Sequence, residues 1–70
     1  MEPNMLEEIT VGAFVFRIYA ESATAFTVER FYANTGKTRV RLYDTESEAR
    51  TSCNDEVRSL RKLLGVSDGY

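Results

Sequence analysis

RVRLYDTESEARTSCNDEVRSLRKLL, residues 39–64, contains a strand, a helix and the junction between them. Charged and apolar residues alternate from Arg39 to Tyr43, which is the two-residue period of a half-buried strand. After Thr45, apolar residues recur at the three- and four-residue spacing of one helix face. They are Ala49, Cys53, Val57, Leu60 and Leu64. The segment therefore predicts a strand followed directly by an amphipathic helix.

The ends of this helix are also marked in the sequence. Thr45 and Glu48 have the spacing of a capping box, in which each side chain can satisfy the other residue's free backbone N–H. Gly65 follows the last apolar residue and suits the left-handed position that ends a helix. We predict a helix over residues 45–64 and a tail over residues 65–70.

The preceding residues predict further strands. From Val11 onward, Phe14, Phe16, Ile18 and Ala20 share one face, while Arg17 and Tyr19 lie on the other. Residues 24–33 are rich in strand-forming types, but Phe31 breaks the alternation that Phe26 and Val28 begin. Either a bulge near Arg30 shifts the phase of this strand, or Phe31 is a partly exposed aromatic residue on the opposite face.

A hairpin turn is predicted at residues 34–37, with Gly36 at positive φ in a three-residue loop. In the strand that follows, Val40 and Leu42 are then expected to face the core. Arg39, Arg41 and Tyr43 are expected to point away from it.

These elements predict an α+β fold, an antiparallel meander of three to four strands with one C-terminal helix packed on one face. Residues 1–70 form a single small domain, with an acidic lead-in at 1–8, the sheet at 9–43 and the helix at 45–64. Met5, Leu6 and Ile9 are expected to attach the lead-in to the core, and residues 5–10 are a candidate fourth strand. The other face of the sheet is left open to solvent.

The composition argues against several classes of function. The chain has 70 residues, a formal net charge of −2, one cysteine and no histidine. It therefore lacks the residues for a disulfide framework, a zinc site or a histidine relay. No apolar run approaches the roughly 18 residues of a membrane span, and the first residues lack the basic region of a signal peptide. We expect a cytoplasmic, non-enzymatic protein without a cofactor, in which Cys53 is a small buried hydrophobe.

The open sheet face is the predicted binding surface, because a domain this small has no other large rigid platform. Tyrosine and arginine are enriched at binding hot spots. The predicted contact residues are Arg17, Tyr19, Glu29, Arg39, Arg41 and Tyr43. Two other interpretations remain open: a solvated face with cross-strand ion pairs, and a surface on which arginines contact phosphates while tyrosines stack on bases.

The stretch from residue 15 to residue 56 resembles small phage anti-CRISPR proteins of the type I-F kind. The matching features are Ile18-Tyr19, Val28-Glu29, the hairpin at residues 34–37 and the strand-to-helix junction at residues 42–46. The resemblance implies a sheet with a helix and a non-catalytic role. It implies that the protein occupies a Cas subunit of a crRNA-guided surveillance complex in the host cytoplasm and blocks target DNA. It places binding residues at Tyr19 and Glu29.

The order of three strands and a helix, with residues 43–49 at the junction, also resembles the arm-type and AP2-like DNA-binding domains of phage integrases. That resemblance implies a sheet that reads the DNA major groove through Arg17, Arg39 and Arg41. We take a protein-binding inhibitor as the leading hypothesis and a DNA-binding module as the alternative, because the negative total charge disfavours nucleic acid. A homodimer that pairs through a free edge strand or the Tyr/Arg face is a third possibility.

Overall fold

The computed structural model describes residues 3–65 and contains four strands and one helix. The elements are β1 (Asn4–Val11), β2 (Phe14–Ser22), β3 (Ala25–Tyr32), β4 (Lys37–Tyr43) and α1 (Glu46–Leu63). The strands form one antiparallel sheet in the order β1-β2-β3-β4. The predicted α+β fold is confirmed, and the sheet has four strands. The predicted tail lies outside the described residues beyond Gly65.

The core lies between α1 and one face of the sheet. Phe16, Ile18 and Val28 are its largest buried sheet residues, and they pack with Val11 and the helix. Of the five residues in the predicted helix stripe, Ala49, Cys53 and Val57 are buried and Leu60 packs against the core, whereas Leu64, which follows the last helical residue, is 50% exposed. Burial raises the pKa of the Cys53 thiol, and the nearby carboxylates Glu7 and Glu56 raise it further. This thiol is therefore held in its neutral form, as expected for a residue that serves packing.

Both predicted helix ends are present, with one difference in detail. The Thr45 hydroxyl accepts a hydrogen bond of 3.1 Å from the Glu48 backbone N–H, and it donates one of 3.0 Å to the Glu48 carboxylate. The carboxylate thus bonds to the Thr45 side chain rather than to its backbone. Gly65 has φ 73° and its N–H bonds to the Lys62 carbonyl, so it provides the left-handed residue that ends the helix.

The lead-in is a true strand that begins at Asn4. It pairs with β2 along its length, and a register shift between Met5 and Glu7 accommodates one extra residue. Leu6 and Ile9 pack against the core as predicted. The prediction for Met5 is wrong: this side chain pairs with Tyr19 on the opposite face and is 51% exposed.

The structure also decides between the two alternatives for Phe31. β3 pairs with β2 without a register shift from Phe26 to Tyr32, so the strand contains no bulge at Arg30. Phe31 lies opposite Val15 on the face away from the helix and is partly exposed. The second alternative is therefore the correct one.

The predicted orientation of β4 is wrong. Arg41 pairs with the buried Val28, and Arg39 pairs with Arg30, so both arginines lie on the helix side. Val40 and Leu42 lie on the opposite face, where they are 58% and 68% exposed.

The physical reason for this inversion is the length of the hairpin loop. Tyr32 pairs with Lys37, so the loop comprises the four residues 33–36 instead of the three predicted. Gly36 does adopt positive φ, at 71°, and its N–H bonds to the Tyr32 carbonyl at 2.8 Å. One additional loop residue shifts the pairing by one, and this turns every side chain of the strand to the other face.

Candidate functional site

The open face, as we define it, is the side of the sheet that points away from α1. Cross-strand pairing assigns its side chains in three rows. The members are Met5, Glu8 and Thr10 of β1, Val15, Arg17 and Tyr19 of β2, Thr27, Glu29 and Phe31 of β3, and Thr38, Val40 and Leu42 of β4.

A row of charged residues crosses the middle of the open face. Arg17 donates to the Glu8 carboxylate at 2.7 Å through Nε and to the Glu29 carboxylate at 3.0 Å through a terminal nitrogen. These hydrogen bonds, first to Glu8 and then to Glu29, raise the pKa of Arg17. The guanidinium is thereby held between carboxylates of the two neighbouring strands, and Val40 ends the row.

Apolar and weakly polar residues flank the charged row on both sides. One flanking row runs Thr10, Val15, Phe31 and Thr38, and the other runs Met5, Tyr19, Thr27 and Leu42. Thr27 is nevertheless buried, and its hydroxyl donates to Glu21 at 3.3 Å. Three of the most exposed large apolar residues in the described chain, Met5, Val40 and Leu42, all lie on this face. Exposed apolar residues gathered on a rigid sheet are typical of a surface that is covered in a complex.

The charge of the open face is opposite to that expected from the sequence. Among residues 3–65 the face carries the carboxylates of Glu8, Glu29 and the adjoining Glu21 against the single guanidinium of Arg17. The formal net charge of its defined members is therefore −1, and it becomes −2 when Glu21 is included. The basic residues Arg39 and Arg41, which the predicted orientation placed here, lie on the helix side.

The six predicted contact residues are thus divided between two surfaces. Arg17, Tyr19 and Glu29 lie together on the open face, as predicted. Arg39, Arg41 and Tyr43 instead line an open groove of about 680 Å³ between β4 and α1, which we call the β4–α1 groove. Its helix side is lined by hydroxyl-bearing residues and by the carboxylates of Glu48, Asp55 and Glu56.

Two of the groove residues are tied to the helix. Arg39 donates to the Glu56 carboxylate at 2.5 Å, and Arg30 donates to the other oxygen of the same carboxylate. Tyr43 and Ser52 share a hydrogen bond of 2.5 Å between their hydroxyls. β4 contributes no fully buried residue to the core. These polar contacts attach the strand to α1 instead.

The Glu56 carboxylate is held in its charged form by this arrangement. Burial favours the neutral acid, but the hydrogen bond and charge of Arg39, followed by those of Arg30, outweigh it and lower the pKa of Glu56. A lowered pKa in the folded state stabilises the fold above the unfolded-state pKa of about 4.3. That stabilisation is lost as the pH falls through the folded-state value.

We therefore expect Glu56→Gln to lower the free energy of unfolding by about 1–2 kcal/mol at neutral pH. The difference from the unaltered protein should shrink as the pH is lowered from about 5 to 3. Urea unfolding across this range measures it. Glu46→Gln is the matched control, because its exposed i,i+4 pair with Arg50 is worth only about 0.3–0.5 kcal/mol. If Glu56→Gln lowered the free energy of unfolding by the same amount at every pH in this range, the lowered pKa assigned to Glu56 would be contradicted.

Met5, Glu8, Val40 and Leu42 are among the open-face residues that sequence reasoning missed. The sequence did contain a signal for Glu8. From Glu8 to Val11 polar and apolar residues alternate, which is the period of a half-buried strand with Glu8 on its polar face. No comparable local signal marks the two β4 residues, because their face depends on the loop length.

Tyr19 and Glu29 are the two residues that the anti-CRISPR resemblance selects, and they lie on neighbouring strands of one face. They occupy adjacent rows, since Tyr19 pairs with Thr27 and Arg17 pairs with Glu29. No helix in residues 3–65 has the length and hydropathy required to cross a bilayer. Comparisons with protein-family models, with curated proteins and with solved structures each find no match to this chain.

Proposed function

We propose that this protein is a non-enzymatic binding protein that recognises another protein through its open face. The observation that carries the proposal is the exposure of Met5, Val40 and Leu42 on the same rigid face as Tyr19 and Glu29. Apolar contacts provide the driving force for association, whereas the fixed carboxylates provide directed hydrogen bonds and select the partner.

The charge of the open face indicates what kind of partner it suits. A negative net charge surrounded by apolar residues is complementary to a protein surface that combines basic and apolar side chains. It is unsuited to the phosphate backbone of DNA, because Arg17, its single cation among residues 3–65, is already paired with two carboxylates. It is equally unsuited to face-to-face pairing of two copies, since like charges would then meet.

Within this class we propose an inhibitor of the anti-CRISPR kind, whose partner is a Cas subunit of a type I-F surveillance complex. Tyr19 and Glu29, the residues assigned by the resemblance, are accessible from the same direction, which supports this choice. By occupying the subunit surface, the protein would prevent target DNA from pairing with the guide RNA. No chemical step is required of it.

The experiment is a target-DNA binding assay with a purified type I-F surveillance complex. Adding the protein should abolish binding of duplex target DNA, and the protein should co-elute with the complex in size-exclusion chromatography. If DNA binding is unchanged at saturating protein and no co-elution occurs, the anti-CRISPR proposal is wrong.

The DNA-binding alternative is tested with the protein alone. Affinity for duplex DNA is measured as salt is raised from about 50 to 200 mM, a range in which phosphate contacts weaken steeply. We expect no measurable binding at the lower salt. Tight, salt-sensitive binding would favour the DNA-binding module over the inhibitor.

A further inference from the structure

β4 is a free edge of the sheet, distinct from the open face. It pairs only with β3, so within residues 3–65 no strand lies on its outer side. Alternate residues of an edge strand direct backbone N–H and C=O groups outward, where they can bond to an added strand. The exposed edge is therefore a potential binding element in its own right.

The two edges of the sheet differ in regularity. β4 pairs with β3 over seven residues, from Lys37 to Tyr43, without a register shift and without proline. The other edge, β1, is interrupted by the shift between Met5 and Glu7, a feature that hinders strand addition. β4 is consequently the better template for an additional strand.

The side chains beside the β4 edge differ between its two faces. Val40 and Leu42 are exposed on the open-face side. On the helix side Arg41 is exposed, and among the described residues it has no hydrogen bond or ion pair, whereas Arg39 is engaged by Glu56. Next to Arg41 the β4–α1 groove leaves room for side chains, with the hydroxyl-bearing Ser47 and Thr51 among the residues that line it. The carboxylates of Glu48, Asp55 and Glu56 also line the groove, and that of Glu56 is paired with Arg39 and Arg30.

We propose that β4 binds an extended peptide segment of another protein as a fifth strand, in which acidic and apolar residues alternate. Because side chains of paired strands share faces, the acidic residues would lie on the helix side near Arg41 and the apolar ones beside Val40 and Leu42. The backbone supplies affinity and this alternation supplies specificity, as in other cases of strand addition. The proposal does not depend on the function proposed for the open face.

A second copy of the chain is a poor occupant of this edge. In antiparallel pairing of β4 with itself, the basic side chains on the helix side would meet the same basic side chains of the other copy. Like charges directly opposite each other destabilise a strand pair. The charge pattern thus disfavours self-association and favours a partner strand that carries carboxylates.

The test uses the isotope-labelled full chain and three capped nine-residue peptides. In the first, glutamate and valine alternate; the second has the same composition in two blocks; in the third, lysine replaces glutamate. We expect the first peptide alone to give saturable amide shifts centred on residues 37–43 and slower hydrogen exchange of outward-facing β4 amides. Absence of these changes, or equal binding of the lysine peptide, would overturn the proposal.

Charge reversal at Arg41 sharpens the test. Arg41→Glu should weaken binding of the glutamate–valine peptide about three- to tenfold and permit binding of the lysine–valine peptide. Arg58→Glu makes the same charge change on an exposed helix position, and it should leave the affinity within about twofold. Tyr19→Ala should also leave it unchanged, which separates this site from the open face. If Arg41→Glu and Arg58→Glu act equally, the attraction is non-specific and the proposed site is wrong.

Discussion

Alanine in place of Phe16 is expected to leave the domain largely unfolded at 25 °C. The Phe16 side chain is fully buried between β2 and α1, and removing a buried phenylalanine ring costs about 3–5 kcal/mol. A domain of this size has a total stability of only about 3–5 kcal/mol. Far-UV circular dichroism and urea titration would show the loss of the cooperative transition.

Leu42→Ala is the control for this experiment. A leucine in a core would cost about 2–5 kcal/mol on truncation, but Leu42 is mostly exposed on the open face. We expect its loss to change the free energy of unfolding by no more than about 0.5 kcal/mol. If Leu42→Ala lowered the free energy of unfolding as much as Phe16→Ala, Leu42 would lie in the core and β4 would have the register predicted from the sequence.

Tyr19→Ala is expected to weaken binding to the surveillance complex by about thirtyfold or more, which corresponds to loss of a hot-spot residue worth over about 2 kcal/mol. Tyr19 lies between Met5 and Thr27 in a row of the open face. A partner surface would cover its ring, and its hydroxyl can bond across the interface. The measurement is the concentration of protein that displaces target DNA by half.

The matched control is Tyr32→Ala, which removes the same side chain from β3 on the helix side of the sheet. Tyr32 stacks on Phe14, with ring centroids 4.3 Å apart, and does not contribute to the open face. Provided that the Tyr32→Ala variant is shown to be folded, it should inhibit the surveillance complex nearly as well as the unaltered protein. If Tyr19→Ala inhibits as well as the unaltered protein, the open face is not the contact surface.

The helix could be predicted from end to end because its determinants are local. Thr45, Glu48 and Gly65 mark its ends, and the apolar spacing between them identifies the face that Ala49, Cys53 and Val57 bury. Each of these inferences depends on residues close together in the chain.

The orientation of β4 could not be deduced in this way. Loops of three and of four residues both place Gly36 at positive φ, yet they give opposite orientations to the strand. The rule that apolar residues face the core favoured the orientation that places Val40 and Leu42 on the helix side, which is wrong. β4 contributes no fully buried residue, and its polar side chains find partners in Glu56 and Ser52 of the helix. These tertiary contacts are not visible in the local pattern.

This inversion alters the candidate site more than the fold. It removes Arg39, Arg41 and Tyr43 from the open face and brings Val40 and Leu42 to it. The ion pair of Arg17 with Glu8 is also non-local, because it requires the lead-in to form β1. The result is an acidic and apolar surface where the sequence predicted a basic one.

The central claim is that the open face joins Tyr19 and Glu29 to an exposed apolar strip of β4. The position of the Leu42 methyl groups tests this claim most directly. Nuclear Overhauser effects in solution report which protons lie close to these methyl groups. We predict contacts from Leu42 to Thr27, its cross-strand partner on the open face. Contacts from Leu42 to the buried Val28 and Val57 side chains would contradict the account.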